Sequence, residues 1–174
     1  MEISTTLKKE LFGERLNTEK ILLYSIYVLS FFVPLIIGKP QLLIGSFINT
    51  LIIYSSLKYG FKKSIPVYLL PSIAATSAGL LFEGATFFLL YLMPFIMISN
   101  GILGYFVTLK KNSLIIMIGV ILKALFLYIV VNILIDTIGL PQIFLTSMGY
   151  IQVITATIGA VIALLLYIPF ESKS

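Results

Sequence analysis

Residues 114–135 read LIIMIGVILKALFLYIVVNILI, and this stretch decides the fold. At 1.5 Å per residue a helix of that length covers roughly 33 Å, enough to cross a hydrocarbon core about 30 Å thick. Lys110, Lys111 and Asn112 close the stretch on one side, and Asp136, Gly139 and Pro141 on the other. Its one charged residue is Lys123. A soluble helix would carry a polar stripe along one side.

The same ruler, carried outward, finds five further runs. They are residues 21–38, 42–57, 65–82, 85–109 and 143–168. The run at 42–57 is short and opens with polar residues. The links are a few residues long, so neighbouring helices are expected to run antiparallel. The runs are continuous, unlike the roughly ten-residue alternating segments of a membrane β-barrel. The predicted fold is therefore an all-α integral membrane protein, with about six transmembrane helices in a compact up-down bundle.

Composition agrees. Hydrophobic residues make up 59% of the 174 residues, charged residues 11%, and the mean hydropathy is +1.09. A soluble domain carries about 25% charged residues, so this chain could not cover a water-facing surface. It has no Cys and no His, which excludes disulfides, thiolate or imidazole metal sites and nucleophile–His pairs. The net charge of +5 comes from basic residues at helix ends, which points to orientation in a membrane and away from nucleic acid.

Of the 12 Lys and Arg residues, setting aside Lys39 and Lys123 leaves ten. With six spans all ten fall on one side: Lys8, Lys9, Arg15 and Lys20, then Lys58, Lys62 and Lys63, then Lys110 and Lys111, and finally Lys173. The other side holds Lys39, beside Glu83 and Asp136. Basic loops stay in the cytoplasm, so a multi-pass protein of the cell membrane with both termini cytoplasmic is expected. Residues 1–20 lack a small-x-small cleavage site after the first apolar run. Ile3, Leu7, Leu11 and Leu16 recur at near-helical spacing among Lys and Glu, as in an amphipathic helix lying on the membrane surface. A contact with a cytoplasmic partner is the alternative. The domain reading is a cytoplasmic amphipathic segment at 1–20 and a single transmembrane domain at 21–170.

Polar groups inside a bilayer are costly and usually face the bundle interior. Lys123 lies 12 residues after Lys111 and 13 before Asp136. Either end is roughly 18–20 Å away, too far for the stem to snorkel. Asn49 is nine residues before Lys58, and Asn100 ten before Lys110. All three lie roughly 13–18 Å from the basic helix ends, so three helices can place them in one layer. Lys123 there would suit a carboxylate or another anionic group. The plainer alternative is a buried Lys that is neutral or bonded to a carbonyl, with the two asparagines making interhelical hydrogen bonds of about 0.6 kcal/mol each. Gln41, Glu83, Asp136, Gln142 and Gln152 gather toward the opposite surface, where with Tyr91 and Tyr150 they could rim an outward-facing pocket, Glu83 and Gln152 being the candidate site residues among them. The alternative there is loop solvation and, for the tyrosines, an aromatic belt. Pro71 and Pro94 break their helices, and Ser72, Ala75 and Gly79, like Ala156, Gly159, Ala160 and Ala163, form small-residue faces for close packing.

No phosphate loop, nucleophile elbow or paired carboxylates within a span can be found. The chain is therefore not expected to be an enzyme or to hold a cofactor.

The stretches GSFINTLIIYSSLK (45–58), LLPSIAATSAGLLFEG (69–84) and MPFIMISNGILGYF (93–106) resemble the membrane-embedded substrate-binding (S) components of energy-coupling-factor transporters, in a subgroup of unassigned substrate. The likeness covers roughly residues 40–168 as a pattern of spans and small motifs. It implies a vitamin-like small molecule bound near the outer face, a separate transmembrane coupling subunit and ATPases as partners. The first span carries Ser25 and Ser30 where the family has Ala-xxx-Ala, and the His ligands of its metal-ion members are missing. Similar sequences sometimes carry an iron-hydrogenase label; without Cys this chain cannot ligate such clusters. The expected function is a membrane-embedded substrate-binding subunit for small-molecule uptake, with Lys123, Asn49, Asn100, Gln152 and Glu83 as site residues. The competing reading is a structural subunit that assembles a larger membrane complex and has no ligand of its own.

Overall fold

The computed structural model describes the backbone of residues 2–80 and 82–171, and the side chains of residues 17–80, 82 and 85–168. Helix accounts for nearly all of it, and no strand occurs among the described residues. The elements are α1 (Glu2–Ile36), α2 (Gln41–Ala78), a 3-10 turn (Glu83–Phe88), α3 (Leu89–Leu109), α4 (Ser113–Ile138), α5 (Ile143–Met148) and α6 (Tyr150–Glu171). Five helices are long and apolar enough to cross a membrane: Asn17–Ile36, Gln41–Ala78, Ala85–Leu109, Ser113–Ile138 and Ile143–Ile168. The chain thus has the make-up of a multi-pass membrane protein.

Local chemistry sets the helix ends. Asn112 opens α4: its side chain accepts the backbone N–H of Leu114 at 2.9 Å, satisfying one orphan donor of the first turn. Gly139 closes it at φ 68°, a left-handed conformation that costs glycine nothing and lets its N–H reach back to Ile135. α1 runs without a break through position 20, so the backbone marks no boundary between residues 1–20 and the rest of that helix. The amphipathic pattern of Ile3, Leu7, Leu11 and Leu16 falls outside the described side chains.

The 38-residue α2 is not a straight rod. Gly60 interrupts it at φ 78°, ψ 173°, a conformation open almost only to glycine. The two halves fold back on each other. The hydroxyls of Ser56 and Tyr68 are 2.8 Å apart, although twelve residues of straight helix would separate their backbones by about 18 Å. The sequence-predicted run 42–57 and residues 65–78 of the run 65–82 thus lie in one helical element on either side of its reversal, and Gly79 caps it at φ 69°.

Further contacts define the two ends of the molecule. At one end Lys58 pairs with Glu19 at 3.2 Å, the Tyr27 hydroxyl donates to the Lys63 carbonyl, and the Lys111 ammonium donates to Tyr167. At the other, Gln41 donates to the Ser147 carbonyl at 3.4 Å, and Gly38 lies against Leu80. We call these the basic end and the far end.

Apolar residues fill the inside and coat the outside. On α4, Ile116, Val120, Leu127 and Val131 are buried, while Leu114, Ile121, Leu125, Ile129 and Ile133 are exposed. In water the second face would be a large exposed apolar patch. In lipid it faces its own solvent, and polarity rather than hydrophobicity marks the interior.

Candidate functional site

Lys123 occupies the middle of α4 and is only 3% exposed. Its Nζ donates to Asn49 Oδ1 of α2 at 2.6 Å and to Asn100 Oδ1 of α3 at 2.9 Å. The two asparagines are 2% and 3% exposed. The sequence-predicted layer of Asn49, Asn100 and Lys123 is thus brought together within hydrogen-bonding distance. A buried ammonium without partners would be very costly, whereas a hydrogen bond to a charged group contributes about 1.5–3 kcal/mol.

Each asparagine is held from its other side. Asn49 Nδ2 donates to the Gly45 carbonyl at 2.9 Å and to Thr155 Oγ1 of α6 at 3.2 Å. Asn100 Nδ2 donates to the Tyr68 carbonyl at 3.0 Å. Each amide therefore turns its oxygen to the ammonium and its nitrogen to a fixed acceptor. Gly159 makes the approach of α6 possible: a Cβ there would meet Asn49 Cβ at 2.7 Å and the Thr50 backbone nitrogen at 2.8 Å. The two halves of α2 thus join α3, α4 and α6 in one connected polar network.

On the far-end side of this layer lies a cavity of about 100 Å³. Lys123, Asn49, Asn100, Thr155, Ser72 and Gln152, with Gln41 and Thr76, contribute its polar lining. Ile44, Ile48, Leu89, Ile96, Met148 and Ile151 form much of its apolar wall. Pro34 and Pro71 also stand in the wall. A proline inside a helix removes a backbone hydrogen bond and bends the rod, which opens space between neighbours.

Gln152 reaches the cavity, where its Nε2 lies 3.7 Å from Met148 Sδ. The side chain of Glu83 lies outside the described residues. Thr155 and Ser72 were not singled out from the sequence as site residues, yet depth counting finds them. Tyr167 meets Lys111, and Thr155 precedes Tyr167 by 12 residues (167 − 155), as Lys123 follows Lys111 by 12 (123 − 111). Ser72 follows Lys63 by nine (72 − 63), the spacing of Asn49 from Lys58.

Ammonium hydrogens not taken by the two asparagines meet no other protein acceptor among the described residues. Ser72 is 4% exposed, and its Oγ has no hydrogen-bond partner among the described residues. The cavity is thus bordered by one cation with spare donor capacity and one unsatisfied hydroxyl. Comparison with known proteins gives no match to any family model, curated protein or solved structure.

Proposed function

We propose that the chain is the membrane-embedded substrate-binding subunit of a small-molecule uptake system. The observation that carries this reading is the mid-bundle cavity, bordered by a buried lysine that two asparagines orient and by a hydroxyl with no partner. Buried polar groups in membrane proteins mark substrate and ion paths more often than they mark mere packing. A protein built only to pack would close such a space, since empty volume forfeits dispersion contacts.

In this reading the halves of α2 count as two spans, giving a six-span up-down bundle in the cell membrane. The basic end, with Lys58, Lys63 and Lys111, is then the cytoplasmic one. The cavity lies toward the far end, where an incoming solute would arrive. Partners are required for uptake, because the sequence carries no nucleotide-binding loop. A transmembrane coupling subunit and ATPases fit the resemblance of residues 40–168 to energy-coupling-factor S components.

The test is mass spectrometry of protein purified in mild detergent. A stoichiometric small molecule that disappears with Lys123→Ala is the expected result. An empty protein, unchanged by that substitution, would sink the reading. The competing role as an assembly subunit draws on the fact that Lys123 already has protein partners. Co-purification separates the two: a coupling subunit and ATPases go with uptake, and a respiratory or redox complex goes with assembly.

A further inference from the structure

We infer that the cavity takes a short aliphatic monocarboxylate, with its head at Lys123 and Ser72 and its carbon chain against the isoleucine wall. This rests on the substrate-binding reading above and narrows it to a chemical class.

Charge comes first. The two asparagines offer the ammonium neutral oxygens, so the positive charge stays unbalanced, and among the described residues no carboxylate pairs with it. Nor does the site favour a built-in counter-ion. An aspartate at position 49 would turn an oxygen toward the Gly45 carbonyl, and one at position 100 toward the Tyr68 carbonyl. Both are acceptor-to-acceptor contacts. The cage thus favours amides over acids at both positions and leaves the neutralising charge to an occupant. One cation matches one negative charge; a second would be buried without a partner.

Donor geometry comes next. Asn49 and Asn100 have committed both ends of their amides to protein, so in the polar layer Lys123 and the buried, unpartnered Ser72 hydroxyl are the donors for an anionic head, while Gln41, Thr76 and Gln152 stand elsewhere in the lining. A carboxylate has two oxygens and accepts from two donors at once. A cationic or donor-rich head group would face the ammonium instead.

Size and wall complete the case. A cavity of about 100 Å³ suits a small solute, and a fatty acid of membrane-lipid length would have to run its tail out through the open side. Ile44, Ile48, Leu89, Ile96 and Ile151 favour a hydrocarbon body.

The experiment is calorimetric titration of the full-length protein in lipid nanodiscs with butyrate, hexanoate, succinate, n-butylamine, 1-butanol and palmitate. Butyrate and hexanoate are expected to bind one to one, with the other four at least about tenfold weaker. Lys123→Met should weaken hexanoate about a hundredfold. Should that variant not fold, Ser72→Ala supplies the second reading, because its hydroxyl supports nothing in the fold. It should weaken hexanoate about three- to tenfold, one ordinary hydrogen bond. Binding of n-butylamine or 1-butanol as tight as that of butyrate overturns the inference. So does palmitate binding, which would mark a lipid site, and so does hexanoate affinity unmoved by Ser72→Ala. Mass spectrometry of the same preparation separates the two failures. If the carboxylates do not bind but a co-purified molecule of another class is found, the class is wrong and the substrate-binding reading stands. If neither is found, both fall.

Discussion

On the basic side of Lys123 the helices pack into one core, whereas on the far side a cavity lies beside a second core of Phe82, Leu92, Leu127, Val131 and Phe144. Toward the basic end, Ile52, Val67, Val107, Ile116, Val120 and Ala163 are buried in one continuous core. Gly104 lets Tyr68 lie against α3, and Gly119 brings α4 onto Phe106, where a Cβ would meet Phe106 Cβ at 2.8 Å. Toward the far end the walls separate around Pro34 and Pro71 and leave the cavity. The hydrophobic effect cannot explain the difference, because both halves are apolar and lipid is as apolar as either. Backbone proximity contributes on the basic side, where Gly104 and Gly119 let neighbouring side chains lie against their helices, while Pro34 and Pro71 stand in the cavity wall. Lys123 stands at the boundary, where packing is tight enough to orient two amides and loose enough to leave space beside the ammonium.

Five substitutions, one of them also combined with Lys123→Met, probe that contrast, all read by circular dichroism unfolding in mild detergent. The largest effect is expected at the boundary. Asn100→Leu leaves Lys123 one acceptor short and removes the amide bond to the Tyr68 carbonyl, which should cost about 2–3 kcal/mol. Adding Lys123→Met should recover part of that loss, because the buried charge goes with it. If Asn100→Leu is neutral, the layer does not hold the bundle. Gly159→Ala comes next at about 1–3 kcal/mol, since its Cβ would collide with Asn49 and Thr50. Gly101→Ala is its control: open space surrounds that position, so the substitution should be neutral or stabilise by up to about 1 kcal/mol. Equal losses at the two glycines would deny that close approach matters. Gly60→Ala should cost about 1–2 kcal/mol through its left-handed φ, although nothing crowds the position. The smallest effect belongs to the cavity side. Ser72→Ala removes an unpartnered hydroxyl and should leave stability unchanged or slightly raised. A loss above about 1 kcal/mol would mean that the hydroxyl is bonded after all.

Much of this was legible in the sequence because helical rise converts residue counts into depth. Asn49, Asn100 and Lys123 could be assigned to one level from their spacing to Lys58, Lys110 and Lys111. Depth does not give azimuth. On residues 143–168 the small-residue face of Ala156, Gly159, Ala160 and Ala163 marks the side of the helix that carries Thr155, four residues before Gly159, but does not name Asn49 as its partner. Nor could Ser72 be recognised as unpartnered, since that depends on what every surrounding helix lacks. The runs at 42–57 and 65–82 were separable by their charged interruption, but the chain reverses through one glycine without losing helix on either side. The role of Gly159 was legible only as part of a small-residue face; its contact with Asn49 needed the packing.

Tyr68 has a consequence of its own. Its hydroxyl meets Ser56, its carbonyl holds Asn100, and its ring lies against Gly104. The chain contains no tryptophan, so no indole emission masks its phenols. A 3-fluorotyrosine placed at that position would give a fluorine resonance one residue removed from the ammonium cage, an internal antenna that reports filling or collapse of the site without any attached dye.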